Sequence, residues 1–424
     1  MSDTFNLRDY PLANHTAPRT AASRHIPRRL ARVLALADFE AAARRHLPGP
    51  IFAYVSGGCE TDRSLSENRR AFEDYDWVPR VLVDTSKRTL ETSLFGHTYA
   101  APFGVAPMGI SALSAYRGDL IQAQAAALAN VPTIMSGSSL IRMEEVCAAN
   151  PDAWFQMYVP GEPDKISALL ERVANAGFRT LVLTADVPVS GNRENNLRAG
   201  FSTPLRPTLR LAWDGATHLR WLFGTALRTL WRHGMPHFEN SRTERGAPIL
   251  SSNVLRDFGA RDHLSWEHLR LIRRQWQGTL VVKGILDPDD ARRARELGAD
   301  GLIVSNHGGR QLDGSIAPLR ALPAVVAAVD ADCPVMIDSG FRRGGDVLMA
   351  LALGARAVFV GRPFNYAGAV AGQAGIVHAF AILAAEMMRN MALLGVNRPG
   401  ELGAHNLRRR TALDDLSRHA AGRR

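Results

Sequence analysis

Eight short apolar runs, at 103–106, 133–135, 154–158, 180–184, 280–283, 302–305, 335–338 and 357–361, constrain this chain more than any other feature. Each ends in a small or polar residue, and most precede a stretch of helical pattern. Runs that are apolar at successive residues, without in–out alternation, read as strands buried on both faces. Eight of them alternating with helices predict an α/β fold, a closed parallel (β/α)8 TIM barrel whose functional groups gather at the C-terminal strand ends. An open doubly wound sheet would want a Gly-x-Gly-x-x-Gly turn after its first strand, and Gly104-Val105-Ala106-Pro107-Met108-Gly109 is not one. At 424 residues and 46% hydrophobic, the chain can bury such a core.

The remaining segments fall around that repeat. Residues 1–35 read as an unstructured basic arm, 36–400 as the barrel domain with a helical lead-in, and 401–424 as a basic tail, mobile from Asn406. In the lead-in, Asp38 is expected to cap a helix running to His46, Pro48 and Pro50 to break it, and 51–55 to start a second that stops at Gly57-Gly58. A closing helix is expected over 379–394, ended by Gly395. The repeat is interrupted once, by an insertion at 197–268 between the fourth and fifth strands. Within it, Trp213, Trp221 and Trp231 stand among Arg206, Arg210, Arg220, Arg228 and Arg232, so three of the seven tryptophans share one segment. Such a stretch suits the headgroup layer of a lipid surface, where a peripheral membrane position is predicted. A cover packed on the barrel, or a subunit contact, is the alternative.

The formal charge of +10 invites a nucleic-acid reading, but its distribution argues against one. Residues 1–35, 205–245 and 405–424 together carry +12, leaving the rest of the chain at −2. Three scattered cysteines, Cys59, Cys147 and Cys333, form neither a disulfide framework nor a metal motif, so a reducing, cytoplasmic setting and no metal are expected. No signal-peptide core and no 18-residue apolar run stand out, so no spanning helix is predicted.

Chemistry concentrates at the predicted strand ends. His307 and Arg310 share one loop, with Gly308 and Gly309 between them, placing a base near neutral pH beside a guanidinium fork for a carboxylate. Lys283 ends an otherwise apolar strand, which is costly without an anionic partner. The loops after strands seven and eight carry Asp338-Ser339-Gly340-Phe341-Arg342-Arg343-Gly344 and Gly361-Arg362, where barrels commonly seat a phosphate. A phosphorylated cofactor is expected there, its polar ring lying across the mouth with Lys283 at the part that gains negative charge on reduction.

The stretch Ser305-Asn306-His307-Gly308-Gly309-Arg310-Gln311-Leu312-Asp313 closely resembles the signature of the FMN-dependent L-2-hydroxy acid dehydrogenases and oxidases, the family of glycolate oxidase, L-lactate dehydrogenase and (S)-mandelate dehydrogenase. The similarity runs from about Asp38 to Gly395 and takes in Phe155-Gln156-Met157-Tyr158-Val159, Val282-Lys283-Gly284 and Gly361-Arg362-Pro363. The resemblance implies that FMN is held around Ala106, Pro107 and Met108, by Ser136, Gln156, Thr184, Lys283, Ser305 and Asp338, with its phosphate on Gly340, Arg342, Gly361 and Arg362. It implies that Arg310, Arg193 and Tyr54 bind the substrate carboxylate, that Tyr158 contacts the hydroxyl, and that His307 is the base with Asp186 as its orienting carboxylate.

The activity so implied is oxidation of an L-2-hydroxy acid to its 2-oxo acid, best read as L-lactate, with mandelate as the alternative. The proton would leave from the α-carbon or from the hydroxyl. Dehydrogenase-type relatives typically have glycine where this chain has Gly109, and oxidases alanine, so a dehydrogenase is expected rather than an oxygen-using enzyme. With no room before Asp38 for a fused haem domain, electrons are expected to pass to a separate quinone or cytochrome at the inner face of the cell membrane. The family implies a homo-oligomer, a tetramer. An FMN barrel doing isomerase chemistry is a remote alternative that would not need the His307–Arg310 pair.

Overall fold

A computed structural model of the protein describes Leu7, Tyr10, Pro27 and residues 29–202, 205–206, 208–241, 243–251 and 261–410. Most of the predicted arm, residues 203–204 and 252–260 of the insertion, and 411–424 of the tail lie outside the described residues.

The eight runs form eight parallel strands: β1 (Phe103–Val105), β2 (Ile134–Ser136), β3 (Trp154–Met157), β4 (Thr180–Thr184), β5 (Thr279–Ile285), β6 (Gly301–Val304), β7 (Val335–Ile337) and β8 (Ala357–Val360). Their order is β1-β8-β7-β6-β5-β4-β3-β2. A parallel bridge from Val105 to Thr133 joins β1 to β2 and closes the barrel. Because both strand faces are buried, the core has two shells. Val182, Val281, Ile303, Met336 and Phe359 fill the interior, while their neighbours Leu181, Val282, Leu302, Ile337 and Val360 pack against the surrounding helices. A hairpin of Thr92–Leu94 and His97–Tyr99 stoppers the N-terminal end, its Phe95 ring 5.5 Å from Trp154, which in turn lies 5.3 Å from Phe359. The C-terminal strand ends open into a cleft.

The lead-in differs from expectation in physically simple ways. The first helix is Leu36–His46, and Asp38 is not its cap but a first-turn acceptor, taking the N–H groups of Leu34 and Ala35 at 2.8 and 3.0 Å. The second helix is Gly49–Ser56, with Pro50 inside its first turn, where a missing N–H costs nothing. The predicted closing helix is the end of a longer element, Arg362–Leu394, kinked at Ala371 and Gly372. By length and composition it could cross a membrane, with a mean hydropathy of 1.6 over its best window, but 78% of that window is buried inside the protein. It is a core helix.

The boundaries of arm and tail also shift. Leu30 and Val33 are buried, and Tyr10 lies edge-on to His378 at 5.5 Å. At the other end Leu407–Arg409 pairs antiparallel with Tyr75–Trp77, and Arg410 and Arg408 bond Asp76, so the tail is tied down as far as Arg410. Two of its arginines thus share one carboxylate.

Candidate active site

The mouth is assembled almost wholly from strand ends. Beneath it, Lys283 is 3% exposed and its ammonium donates to Ser305 Oγ at 2.8 Å, with Asp338 at 3.3 Å and Asp186 at 3.8 Å. Burial works against its charge, but the two carboxylates outweigh it and raise the Lys283 pKa above the ordinary lysine value. The lysine is therefore charged, and its predicted anionic partner is in part the protein itself.

His307 sits in the left-handed region at φ +56°, held by its own N–H to Ser305 Oγ at 3.0 Å. Its Nδ1 is 2.9 Å from Asp186 Oδ1. Burial pushes the Asp186 carboxyl up, yet the charges of His307 and Lys283 and the bond to His307 bring it below its ordinary value. Since an ionised Asp186 can only accept, Nδ1 is the donor and Nε2 keeps its lone pair. Burial lowers the His307 pKa against the pull of Asp186, so the ring is neutral at pH 7 and able to take a proton.

Arg310 is fixed by two hydrogen bonds of 2.7 Å, to the carbonyl oxygens of Tyr54 and Gly57, with its guanidinium 5.0 Å from the Tyr54 ring centroid. Arg193 donates to Arg310 O at 3.3 Å and Gln311 Oε1 at 3.1 Å, which sets it beside Arg310. Burial and the nearby charge of Arg193 push the Arg310 pKa down to about 9. Across the mouth, Arg362 donates to the carbonyls of Val55, Gly57 and Gly308, and burial lowers the pKa of Arg342 to about 10. Among the described residues no carboxylate forms an ion pair with Arg193, Arg310, Arg342 or Arg362. Four partly buried guanidiniums without counter-ions are arranged to receive anions.

The expected site residues separate into lining and floor. Tyr54, Ala106, Pro107, Met108, Tyr158, Arg193, Lys283, His307, Arg310, Asp338, Gly340, Arg342, Gly361 and Arg362 line the cleft. Ser136, Gln156, Thr184 and Ser305 are buried just under it, and Asp186 stands behind His307. FMN can be tested against this arrangement. Gln156 accepts from Ser136 Oγ and Gly137 N at 3.1 and 3.2 Å, while its Nε2 is buried without a partner, a donor awaiting a ring carbonyl. At the phosphate end Gly340 has φ +90°, and a Cβ there would come within 2.4 Å of Asn68 O. The donor set fits a phosphorylated, carbonyl-bearing ring.

Several contributors carried no readable signal. Ser339 donates to Asp338 at 2.8 Å and accepts from Gly308 N at 3.0 Å, joining the β6 and β7 loops, a role that a serine within a Gly- and Arg-rich loop does not announce. Asn68 and Asn306 exchange amide hydrogen bonds of 2.9 and 2.7 Å, tying the lead-in to the His307 loop. Phe201, Phe238, Ile249 and Arg261 come from the insertion to wall the cleft, and nothing in their spacing announces it.

Comparison with known proteins agrees with this chemistry. A family described as FMN-dependent dehydrogenase matches residues 43–409. An L-lactate dehydrogenase of Stenotrophomonas maltophilia (strain R551-3) is 41% identical over 379 residues, 88% of this chain and 98% of the relative. Among solved structures, the monotopic membrane protein (S)-mandelate dehydrogenase matches with a TM-score of 0.82 at 34% identity, covering 89% of this chain and all of that one. A mandelate oxidase bound to benzoyl-formic acid matches at 0.73 and 36%, over 88% of this chain and 98% of that one. The chain belongs to the FMN-dependent dehydrogenase family. It is an FMN-dependent L-2-hydroxy acid dehydrogenase, an enzyme that oxidises a small 2-hydroxy acid.

Proposed function

We propose that the enzyme oxidises L-lactate to pyruvate and delivers the electrons to a membrane quinone or cytochrome, working as a homo-oligomer, a tetramer by its resemblance, at the inner face of the cell membrane. The observation that carries this reading is the His307–Asp186 bond of 2.9 Å beside the Arg193–Arg310 pair, a base and a carboxylate clamp sharing one mouth. In this reading Arg310 and Arg193, helped by the Tyr54 hydroxyl, hold the carboxylate and so fix which hand of substrate turns its α-carbon inward. Tyr158 bonds the substrate hydroxyl. His307 Nε2 takes a proton from the substrate, and Asp186 stabilises the imidazolium that results. FMN, when bound, accepts the two electrons. Ala106, Pro107, Met108, Ser136, Gln156, Thr184, Lys283, Ser305 and Asp338 surround its ring, and Gly340, Arg342, Gly361 and Arg362 its phosphate. Lys283 stabilises negative charge at the ring.

The membrane reading is supported by the insertion. Trp213 is 73% exposed and Trp231 88%, with Leu209 and Phe223 beside them and Arg220, Arg228 and Arg232 interspersed. A solved relative described as a monotopic membrane protein points the same way. The apolar wall of Phe201, Phe238 and Ile249 favours a second substrate reading, an aryl hydroxy acid such as (S)-mandelate. An anaerobic visible spectrum of the FMN-loaded protein, titrated with L-lactate and then L-mandelate, decides between them. Bleaching by L-lactate with slow recolouring in air is expected. Fast recolouring with peroxide would make it an oxidase, and bleaching by neither acid would remove both substrates.

A further inference from the structure

Two groups of the mouth stand on a stretch with no ladder of its own. Residues 185–193, between β4 and the helix Glu194–Ala199, form neither strand nor helix, with Asp186 near the start and Arg193 at the end. Such a stretch takes its shape from whatever ties it down. The Gln311 side chain ties it at three points. Its Nε2 donates to Asp186 O at 3.2 Å and to Val189 O at 3.0 Å, and its Oε1 accepts from Arg193 Nη2 at 3.1 Å. The amide can sit only one way round, because a guanidinium solely donates and a backbone carbonyl solely accepts. The two backbones also meet closely here: a Cβ on Gly191 would come within 2.5 Å of Arg310 O and 2.9 Å of Gln311 O. Gln311 follows Arg310 directly in the loop of His307. One amide thus links the loop of the base to the loop that supplies its carboxylate and half of the clamp.

We propose that Gln311 is a positioning residue for the oxidation, a strut that sets Asp186 behind His307 and Arg193 beside Arg310 at the same time. This rests on the reading of His307 as the base and of Arg193 and Arg310 as the carboxylate clamp. Gln311 acts through these neighbours and not on the substrate. A neutral amide suits the place, since a carboxylate would repel the two carbonyls and an ammonium would repel Arg193. Loss of the strut therefore has two signatures. Arg193 is freer, so carboxylates bind less tightly. Asp186 is freer too, and the imidazole loses part of the attraction that raises its pKa, against which Lys283 and Arg193 act more weakly.

The test uses the FMN-loaded full chain and its Gln311→Met and Gln311→Asn variants, the first keeping the shape without the amide, the second an amide one methylene shorter. Flavin reduction is followed anaerobically across pH with L-lactate, or with L-mandelate if only that acid bleaches the wild type. The Kd of the matching 2-oxo acid, pyruvate or benzoylformate, is read from the visible difference spectrum of the oxidised flavoprotein. Gln311→Met should keep FMN and lower kcat/KM about 100-fold, through a higher KM and a lower kcat together. It should weaken 2-oxo acid binding about tenfold and move the acid limb of kcat/KM to lower pH. Gln311→Asn should recover part of each change, and carries the comparison if Gln311→Met does not hold FMN. Wild-type kinetics and an unmoved acid limb in an FMN-loaded variant would overturn the proposal and leave the function standing. So would a fall in kcat alone, with the acid limb and the 2-oxo acid affinity unmoved, since a merely structural role predicts that pattern. If neither hydroxy acid reduces the wild-type flavin, the reading of the mouth falls, and this proposal with it.

Discussion

The strand ends and the insertion that covers them are built on opposite principles. At the strand ends the groups around the base are cross-tied: Lys283 to Ser305, Asp338 and Asp186, Asp186 to His307, Ser339 to both Asp338 and Gly308. These ties connect loops after four different strands, so moving one group disturbs all. The Trp-rich segment of the insertion, 209–233, is held to the barrel by a different kind of contact, from a few side chains among the described residues. Trp221 donates to Leu113 O at 2.7 Å, His233 meets the Tyr116 hydroxyl at 2.8 Å, and Arg228 lies over the Tyr116 ring. Its Leu209, Trp213, Leu219, Phe223 and Trp231 face outward, whereas Phe201, Phe238 and Ile249, elsewhere in the insertion, are buried at the cleft. On the function proposed above, reaction chemistry falls to the tied, desolvated floor, and substrate fit and surface attachment to the segment that covers it.

If the floor is where the chemistry lies, His307→Gln should give the largest effect. Flavin reduction by L-lactate should fall on the order of 10⁴-fold in stopped-flow measurements while FMN stays bound. An unaltered rate would take His307 out of the reaction. Because burial holds the His307 pKa below the ordinary histidine value, kcat/KM in the wild type should be flat above pH 7 and decline only in acid, as protonation removes the lone pair. Lys283→Met sharpens the same point through stability. Removing the cation strands Asp338 and Asp186, and denaturant titration should show a loss of about 3–5 kcal/mol. A neutral outcome would mean that the floor is less tightly coupled than its distances imply.

The next test falls where the two regions meet, under the loop that Trp221 grips. Asp119 is 4% exposed, accepts from Ser111 Oγ at 2.7 Å, and is pushed by burial to a pKa of about 6. Since the folded state raises this pKa, the stability it favours is fully present below pH 4 and is lost as pH climbs through 6. Above that it costs roughly 3 kcal/mol. Asp119→Asn should therefore stabilise the protein at pH 8 and show no such gain at pH 4.5, read by urea unfolding at each pH. The same gain at both would dissociate the carboxyl from the effect. The smallest change in stability is expected for Phe223→Ser with Trp231→Ser, within about 0.5 kcal/mol. Co-sedimentation with anionic phospholipid vesicles should nonetheless drop sharply, and undiminished sedimentation would break the division of labour between the two regions.

Much of the floor was legible because its chemistry is placed by a repeat. Once eight runs are taken as barrel strands, each polar residue that ends a run must point to one mouth, and Lys283, His307, Arg310, Arg342 and Arg362 all do. The strand positions 180–184 coincide with the observed strand, and the others shift by a residue or two. The insertion was legible only in composition. Its three tryptophans read alike, yet Trp213 and Trp231 are exposed while Trp221 is turned onto the barrel, so the outward and inward readings each describe part of it.

By itself the sequence determined the barrel, the end of it that carries the chemistry, and the kinds of group found there, because a two-sided burial pattern admits few architectures and short motifs hold their residues at fixed spacing. Tertiary structure decided which side chains touch. That Ser339 bridges two loops, that Asn68 grips Asn306 across more than two hundred residues, and that Arg261 stands over Tyr158 are contacts between segments far apart in the chain. No local propensity encodes such contacts. They arise only when the closed sheet brings separate strand ends, and the insertion above them, to the same few ångströms.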